Sequence, residues 1–170
     1  MRRIEPQAFT GGNVFIEGNG YAGVLKDFEP PKIEFETLEA NASIGKYERA
    51  LPIIKPLSAK ITFQAMSREI FSALSKSKVA KIVIKNNVSG ADENGIPKEI
   101  QVESTMEGSI KAAELPKAEM GKEVEISLEI SLVAFKYVVD REEMISYDKA
   151  NAVFSVDGEN QFAAIARNIS

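Results

Sequence analysis

Along residues 123–132 polar and apolar side chains alternate without a break. Val124, Ile126, Leu128, Ile130 and Leu132 share one face of an extended chain; Glu123, Glu125, Ser127, Glu129 and Ser131 share the other. A period of two marks a strand with one face in a core and one in water. Two more segments repeat it: Leu57, Ala59, Ile61, Phe63 and Ala65 oppose Ser58, Lys60, Thr62 and Gln64, and Ile100, Val102, Met106 and Ile110 oppose Gln101, Glu103, Thr105 and Glu107. Residues 33–40 form a further strand with a mixed pattern, and residues 79–88 and 144–156 are additional candidates. The wet faces are rich in glutamate, so an acidic surface carrying Glu103, Glu107, Glu125 and Glu129 is expected.

Punctuation fits antiparallel strands. Val14-Phe15-Ile16 reads as a short strand, Gly18-Asn19-Gly20 as the hairpin turn after it, and residues 21–28 as the return, stopped by Pro30-Pro31. Ser67 is placed to cap a short helix over residues 68–75, with Ile70, Phe71 and Leu74 on one face. A second helix is predicted over residues 159–168, where Phe162, Ile165, Ala166 and Ile169 follow helical spacing. Residues 1–12 read as an arm with Pro6 and Gly11-Gly12. Residues 41–56 read as a long loop carrying Ile44, Tyr47, Leu51, Ile53 and Ile54, with prolines at 52 and 56. A structureless stretch of that length is uncommon inside a domain. Either it packs on itself as an Ω-loop, or its apolar groups meet another subunit. Residues 111–121 form a second connection, poor in large apolar groups.

Composition sharpens this picture. At 170 residues the chain suits one domain, and Ile plus Val outnumber Leu by 30 to 8, which favours a pleated surface over helices. There is no His, no Cys and no Trp. That excludes disulfides, thiolate zinc sites, a thiol nucleophile, imidazole metal ligation and the Ser-His-Asp triad. The side chain that usually acts as general base near neutral pH is missing; a carboxylate-only or Lys-based enzyme stays possible, but no enzyme and no cofactor are expected. With 21 basic and 25 acidic residues the net charge is −4, and the basic residues are dispersed, so no nucleic-acid footprint appears. No apolar run approaches the roughly 18 residues of a membrane span. Arg2-Arg3 starts like a signal sequence, but Ile4-Glu5-Pro6-Gln7 breaks any apolar core of one, so a soluble, cytosolic product is expected.

Short motifs add little chemistry. Gly18-x-Gly20-x-x-Gly23 matches the dinucleotide fingerprint literally, but residues 24–28 run into Pro30-Pro31 where that motif needs a helix, so a hairpin turn is the better reading. Asp140, Glu142, Glu143, Asp148, Asp157 and Glu159 are plentiful carboxylates, yet no spacing singles out a catalytic pair. Asp92-Glu93-Asn94-Gly95 lacks the alternating ligands and terminal Glu of a calcium loop and reads as a turn.

The order of several weak motifs is more specific than any one of them. Asn13-Val14-Phe15-Ile16-Glu17-Gly18 followed by Tyr21-x-Gly23, Pro31-Lys32-Ile33 with Glu36, Glu107-Gly108-Ser109-Ile110-Lys111, Glu119-Met120-Gly121-Lys122, Phe135-Lys136-Tyr137, Tyr147-Asp148 with Asn151, and Val156-Asp157-Gly158 with Arg167 follow one another at family-like spacing. In this the chain resembles the major tail tube proteins of contractile-tailed phages and R-type bacteriocins over nearly its whole length. It departs from them at Ala40-Asn41-Ala42-Ser43, at Asp140-Arg141 and at Ile169-Ser170. The resemblance implies a mainly β fold, an antiparallel β-sandwich or half-barrel with one short flanking helix and a C-terminal helix. It implies a homo-oligomer of hexameric rings stacked into a hollow tube, a conduit for DNA that passes without specific binding or a bacteriocin needle. It implies sheath, baseplate and tail-terminator partners, no membrane anchoring, and a place in a virion tail or tailocin particle assembled in the host bacterial cytoplasm. Residues 41–56 would supply contacts between subunits or rings through Ile44, Tyr47, Leu51, Ile53 and Ile54. The glutamate face, Glu103, Glu107, Glu125 and Glu129, would line the lumen. The tube protein of type VI secretion, Hcp, shares that fold and is the near alternative; a monomeric β-sandwich binding module is the distant one.

Overall fold

A computed structural model describes residues 4–22, 24–75 and 79–170. The first three residues of the expected arm, Arg2-Arg3 among them, and Gly23 of the opening motif lie outside the described residues. In chain order the elements are β1 (Ala8–Ile16), β2 (Asn19–Ala22), β3 (Leu25–Glu29), β4 (Phe35–Ala42), β5 (Gly45–Ile54), β6 (Ser58–Phe63), α1 (Arg68–Ser72), β7 (Ala80–Ala91), β8 (Pro97–Glu114), β9 (Ile126–Val139), β10 (Glu142–Asp148), β11 (Val153–Val156), β12 (Glu159–Asn160) and α2 (Ala163–Ile169).

All pairings are antiparallel. One sheet runs β2-β1-β7-β8-β9-β10-β11-β12, and β9 also carries β6, which carries β3. β9 therefore serves two neighbours along one edge: Ile126–Ser131 pairs with β6, and Ala134–Val139 pairs with β10. The fork has a local cause. Register slips where Glu107 faces Ala134 but Gly108 faces Leu132, leaving Val133 as an extra residue. A bulge bends its strand and changes which side chains face the core. Before it Ile130 and Leu132 point inward; after it Phe135 and Tyr137 do. Gly108 permits the close approach, since a Cβ there would stand 2.1 Å from the Ser131 carbonyl oxygen.

The sheet curls into a half-barrel. Its core joins Val14 and Ile16 of β1, Ala59, Ile61 and Phe63 of β6, Ile82 and Ile84 of β7, Met106 of β8 and Ile126, Leu128, Ile130 and Leu132 of β9. α1 closes one side with Ile70, and its first turn is capped as expected, the Ile70 N–H donating to Ser67 Oγ at 3.3 Å. The alternation in β6, β8 and β9 thus matches what is buried. The C-terminal helix forms over fewer residues than expected, because Glu159–Asn160 makes a strand, and α2 buries none of its residues.

Four expectations need correction. Residues 41–56 are not a structureless loop: β4 and β5 form a long hairpin in register from Ala42↔Gly45 to Phe35↔Ile54. Its outer faces are both wet, so burial imposes no period, and Pro52 sits where the register slips, a place a strand tolerates a missing N–H. The arm is shorter than 12 residues, for Ala8–Gly12 already belongs to β1 and pairs with β7. There Asn86 Nδ2 donates to the Gly11 carbonyl and Asn87 Nδ2 to Thr10 Oγ1, so asparagines hold a stretch whose glycines suggested freedom. The first hairpin turns on Glu17 (φ 50°) and Gly18 (φ 84°), not on Gly18-Asn19-Gly20. The connection starting at residue 111 is shorter, since β8 runs to Glu114.

Candidate assembly surfaces

Among the described residues the β4–β5 hairpin pairs with no other strand. A two-stranded hairpin alone in water is marginal, and this one still exposes apolar groups. Ile44 at the tip is 99% exposed, Tyr47 and Ile53 are about half exposed, and Leu51 is intermediate. Ile54 differs from the other four: it packs partly buried against the core and roots the hairpin in its own subunit, beside Phe35, whose ring meets Phe154 edge-on at 5.8 Å. The branch is thus partly buried at its base and bare at its tip.

The polar face of the sheet is where the expectation of an acidic wall fails. Register places Lys85 of β7 directly opposite Glu103 of β8, and Lys81 opposite Glu107. Lys60 of β6 stands opposite Glu129, and Lys111 Nζ reaches Glu129 at 3.2 Å while donating to Ser58 Oγ at 2.7 Å. Glu125 pairs with Lys26, and this hydrogen bond is the main reason that the Lys26 ammonium titrates above its usual range. Lys136 meets Glu143 at 3.4 Å. Each of the four glutamates singled out by alternation therefore has a lysine beside it. Glu125 and Glu129 are in half-exposed ion pairs, which add little stability, while Glu103 and Glu107 only face a lysine in register; together these lysines offset the acidic charge of the face. In the sequence only Lys60 stood on a polar face beside the acidic rows; the fold brings the other lysines to them.

Other carboxylates serve in turns and along strands. Asp148 accepts from the Ala150 and Asn151 N–H groups and from Asn151 Nδ2 at 2.6 Å; these bonds, the last foremost, hold its carboxyl below the usual range. Glu119 is held low by Lys117 and Lys122 around the Gly121 turn. Glu99 is lowered by bonds from Ser89 Oγ and Asn87 Nδ2. Asp92 Oδ1 accepts from the Asn94 and Ile96 N–H groups, which makes its segment the turn that was expected. Two more hairpins turn on pairs of positive-φ residues, Asp140-Arg141 and Asp157-Gly158. Among the described residues no three Asp or Glu side chains gather as a metal site.

A cavity of about 520 Å³ opens at the seam where β3 comes near β1, walled by Phe9, Leu25, Phe28, Pro30 and Val102. Ser104 lines it, 1% exposed, and its Oγ has no hydrogen-bond partner among the described residues. Leaving such a hydroxyl unpaired costs about 1–3 kcal/mol. Tyr137 also borders the cavity, and burial raises its phenol pKa. The signal was present in β8: at core parity between Ile100 and Ile110, only positions 104 and 108 are not large and apolar. The first is the orphan serine and the second the glycine of the bulge.

Comparison with known proteins follows the same line. The family model described as phage tail tube protein FII matches residues 6–169. No curated protein sequence matches. Among solved structures, a chain of an extracellular contractile injection system, PVC sheath/tube terminator in extended state, is 10% identical, with TM-score 0.54 over 76% of this chain and 92% of that one. A chain of the PVC sheath-tube complex in extended state is 9% identical, with TM-score 0.51 over 76% of this chain and 87% of that one. At such identities the likeness is one of fold.

Proposed function

From membership of the phage tail tube protein FII family, to which this chain belongs, we infer how a structural tail tube subunit of this shape assembles and what its tube admits. The subunit forms hexameric rings, and the rings stack into a hollow tube. The observation that carries this reading is the β4–β5 hairpin, an unpaired apolar branch that a monomer leaves bare. Ile44, Tyr47, Leu51 and Ile53 then anchor contacts to a neighbouring subunit or ring, as obligate interfaces bury surfaces resembling a core. The polar face lines the lumen. The short edge strands β2 and β12 meet those of neighbours around the ring, which removes exposed edges. Sheath, baseplate and terminator proteins are its partners, by analogy with the sheath-tube and terminator assemblies of similar fold. The tube is passive: it performs no catalysis, needs no cofactor and belongs to a tail or tailocin particle put together in the bacterial cytoplasm.

The cancelled charge of the polar face bears on the cargo. A uniformly acidic lumen would hold DNA off its walls, and a basic one would bind it by counterion release. With lysine beside each glutamate, the wall does neither, and beyond the screening length of about 8 Å it has little field. A DNA conduit without specific binding fits, and so does the needle of an injection system carrying other cargo.

Electron microscopy and sedimentation of the chain, alone and seeded by its own baseplate, test the reading. Rings or tubes are expected. Ile44→Asp combined with Ile53→Asp should reduce tube yield at least tenfold while the circular dichroism stays native. Normal tubes from this variant would remove the hairpin from the assembly contact. Ile54 is left untouched, since it holds the fold.

A further inference from the structure

The cavity at the β1–β3 seam and the tip of the β4–β5 hairpin are each incomplete, and in complementary ways. The cavity is lined by apolar Phe9, Leu25, Phe28, Pro30 and Val102 and by the polar side chains of Lys26, Asp27, Asn86, Ser104 and Tyr137. Ser104 Oγ is fully buried and has no partner among the described residues, so the lining presents a hydrogen-bonding group that none of them uses. The tip has the opposite form. Ile44 stands 99% exposed as an apolar knob. Beside it the Ser43 hydroxyl has no partner among the described residues. The tip does not fill its own cavity, since its exposure is nearly complete and, among the described residues, its strands pair only with each other.

A knob at one place on a subunit and a pocket at another make a heterologous contact, and heterologous contacts that do not close on themselves propagate without end. That is what stacking of rings requires. Resting on the tube reading above, we propose that the seam cavity is the socket for the hairpin tip of a second copy of this chain. Ile44 enters against Leu25, Phe28 and Val102, and Ser43 brings a hydroxyl to Ser104. The socket then explains why the chain keeps a serine at a core position of β8 where its neighbours at the same parity, Val102 and Met106, are apolar. It also explains the open seam: the cavity lies where β3 and β1 approach without a ladder, so a turn can enter without breaking strand pairing.

The absence of native cysteine makes the test clean. Two double variants, Ile44→Cys with Phe9→Cys and Ile44→Cys with Pro30→Cys, place one thiol on the knob and one on the socket rim. Ile44→Cys with Ile96→Cys is the control, with the second thiol on the β7–β8 turn. After assembly and mild oxidation, a non-reducing gel should show a ladder of covalent oligomers from at least one rim pair and none from the control. Tubes that form normally but give no ladder from either rim pair, or an equal ladder from the control, overturn the socket and leave the tube reading standing. A wild-type chain that never forms tubes overturns the tube reading, and the socket falls with it. Should the cysteine variants fail to assemble, hydrogen–deuterium exchange on wild-type tubes decides. The amides of Gly11, Gly12 and residues 26–28 should exchange at least tenfold more slowly in tubes than in free subunits, and unchanged rates there refute the socket.

Discussion

Gly108 is the position at which one added carbon should do most damage. It lies where β8 passes the bulge of β9, and a Cβ there would stand 2.1 Å from the Ser131 carbonyl oxygen, 2.9 Å from its carbonyl carbon and 3.0 Å from the Leu132 Cα. All three are backbone atoms, so no side chain can swing aside. Restoring ordinary contact requires the strands to part by about 1 Å. The pairs Gly108↔Leu132 and Ser109↔Ser131 lie at this point, in the β8–β9 ladder. Weakening one or two backbone hydrogen bonds costs about 1 kcal/mol each, and overpacking adds about 1–3 kcal/mol. Gly108→Ala should therefore lose about 2–5 kcal/mol, a large part of an ordinary domain's stability. At about 2–4 °C per kcal/mol for a chain of this size, the melting temperature should fall by about 4–20 °C. Thermal melts followed by circular dichroism read this directly. Gly90→Ala is the control: its new carbon would meet only the Gln7 side chain, at 2.9 Å, which can rotate away. If Gly108→Ala melts within about 2 °C of the native chain, the bulge is not the constraint that forks the sheet.

The β9–β10 turn carries Arg141 at φ 65°, a conformation that costs a residue with a Cβ about 1–2 kcal/mol. Arg141→Gly should raise the melting temperature by a few degrees, and a lower one would show that the arginine side chain has a packing role. Acid should weaken the fold through Asp148 and Glu99. Both carboxyls are held below their ordinary values by hydrogen bonds, so the unfolded chain binds protons more readily. Their contribution is present above the ordinary carboxylate range and is lost as pH falls through it. Asp148→Asn with Glu99→Gln should flatten the melting temperature between about pH 5 and pH 3; an unchanged slope would place the acid sensitivity elsewhere.

What the sequence made legible followed burial. β6, β8 and β9 each bury one face, so every second residue must be apolar, and their alternation could be read directly. Ser67 showed itself because an N-cap depends on its own neighbours in the chain. The hairpin did not, since a strand pair with water on both faces needs no period. Ala8–Gly12 was hidden for another reason: it is held by Asn86 and Asn87, far along the chain, and its own residues look like a flexible arm. The charge of the polar face depends on register as well. Glu103 and Glu107 were visible, but Lys85 and Lys81 stand opposite them only once β7 is aligned on β8. The cavity left a faint trace in Ser104, whose meaning depends on β3 approaching β1 without pairing to it.

Electron cryomicroscopy of the assembled chain tests the central claim most directly. A tube of stacked sixfold rings is expected, with Glu103 and Glu107 on the inner wall and the β4–β5 hairpin crossing from one ring to the next. A chain that stays monomeric in the presence of its own baseplate would contradict the account. So would a tube whose glutamate rows face outward and whose hairpins stay within their own ring.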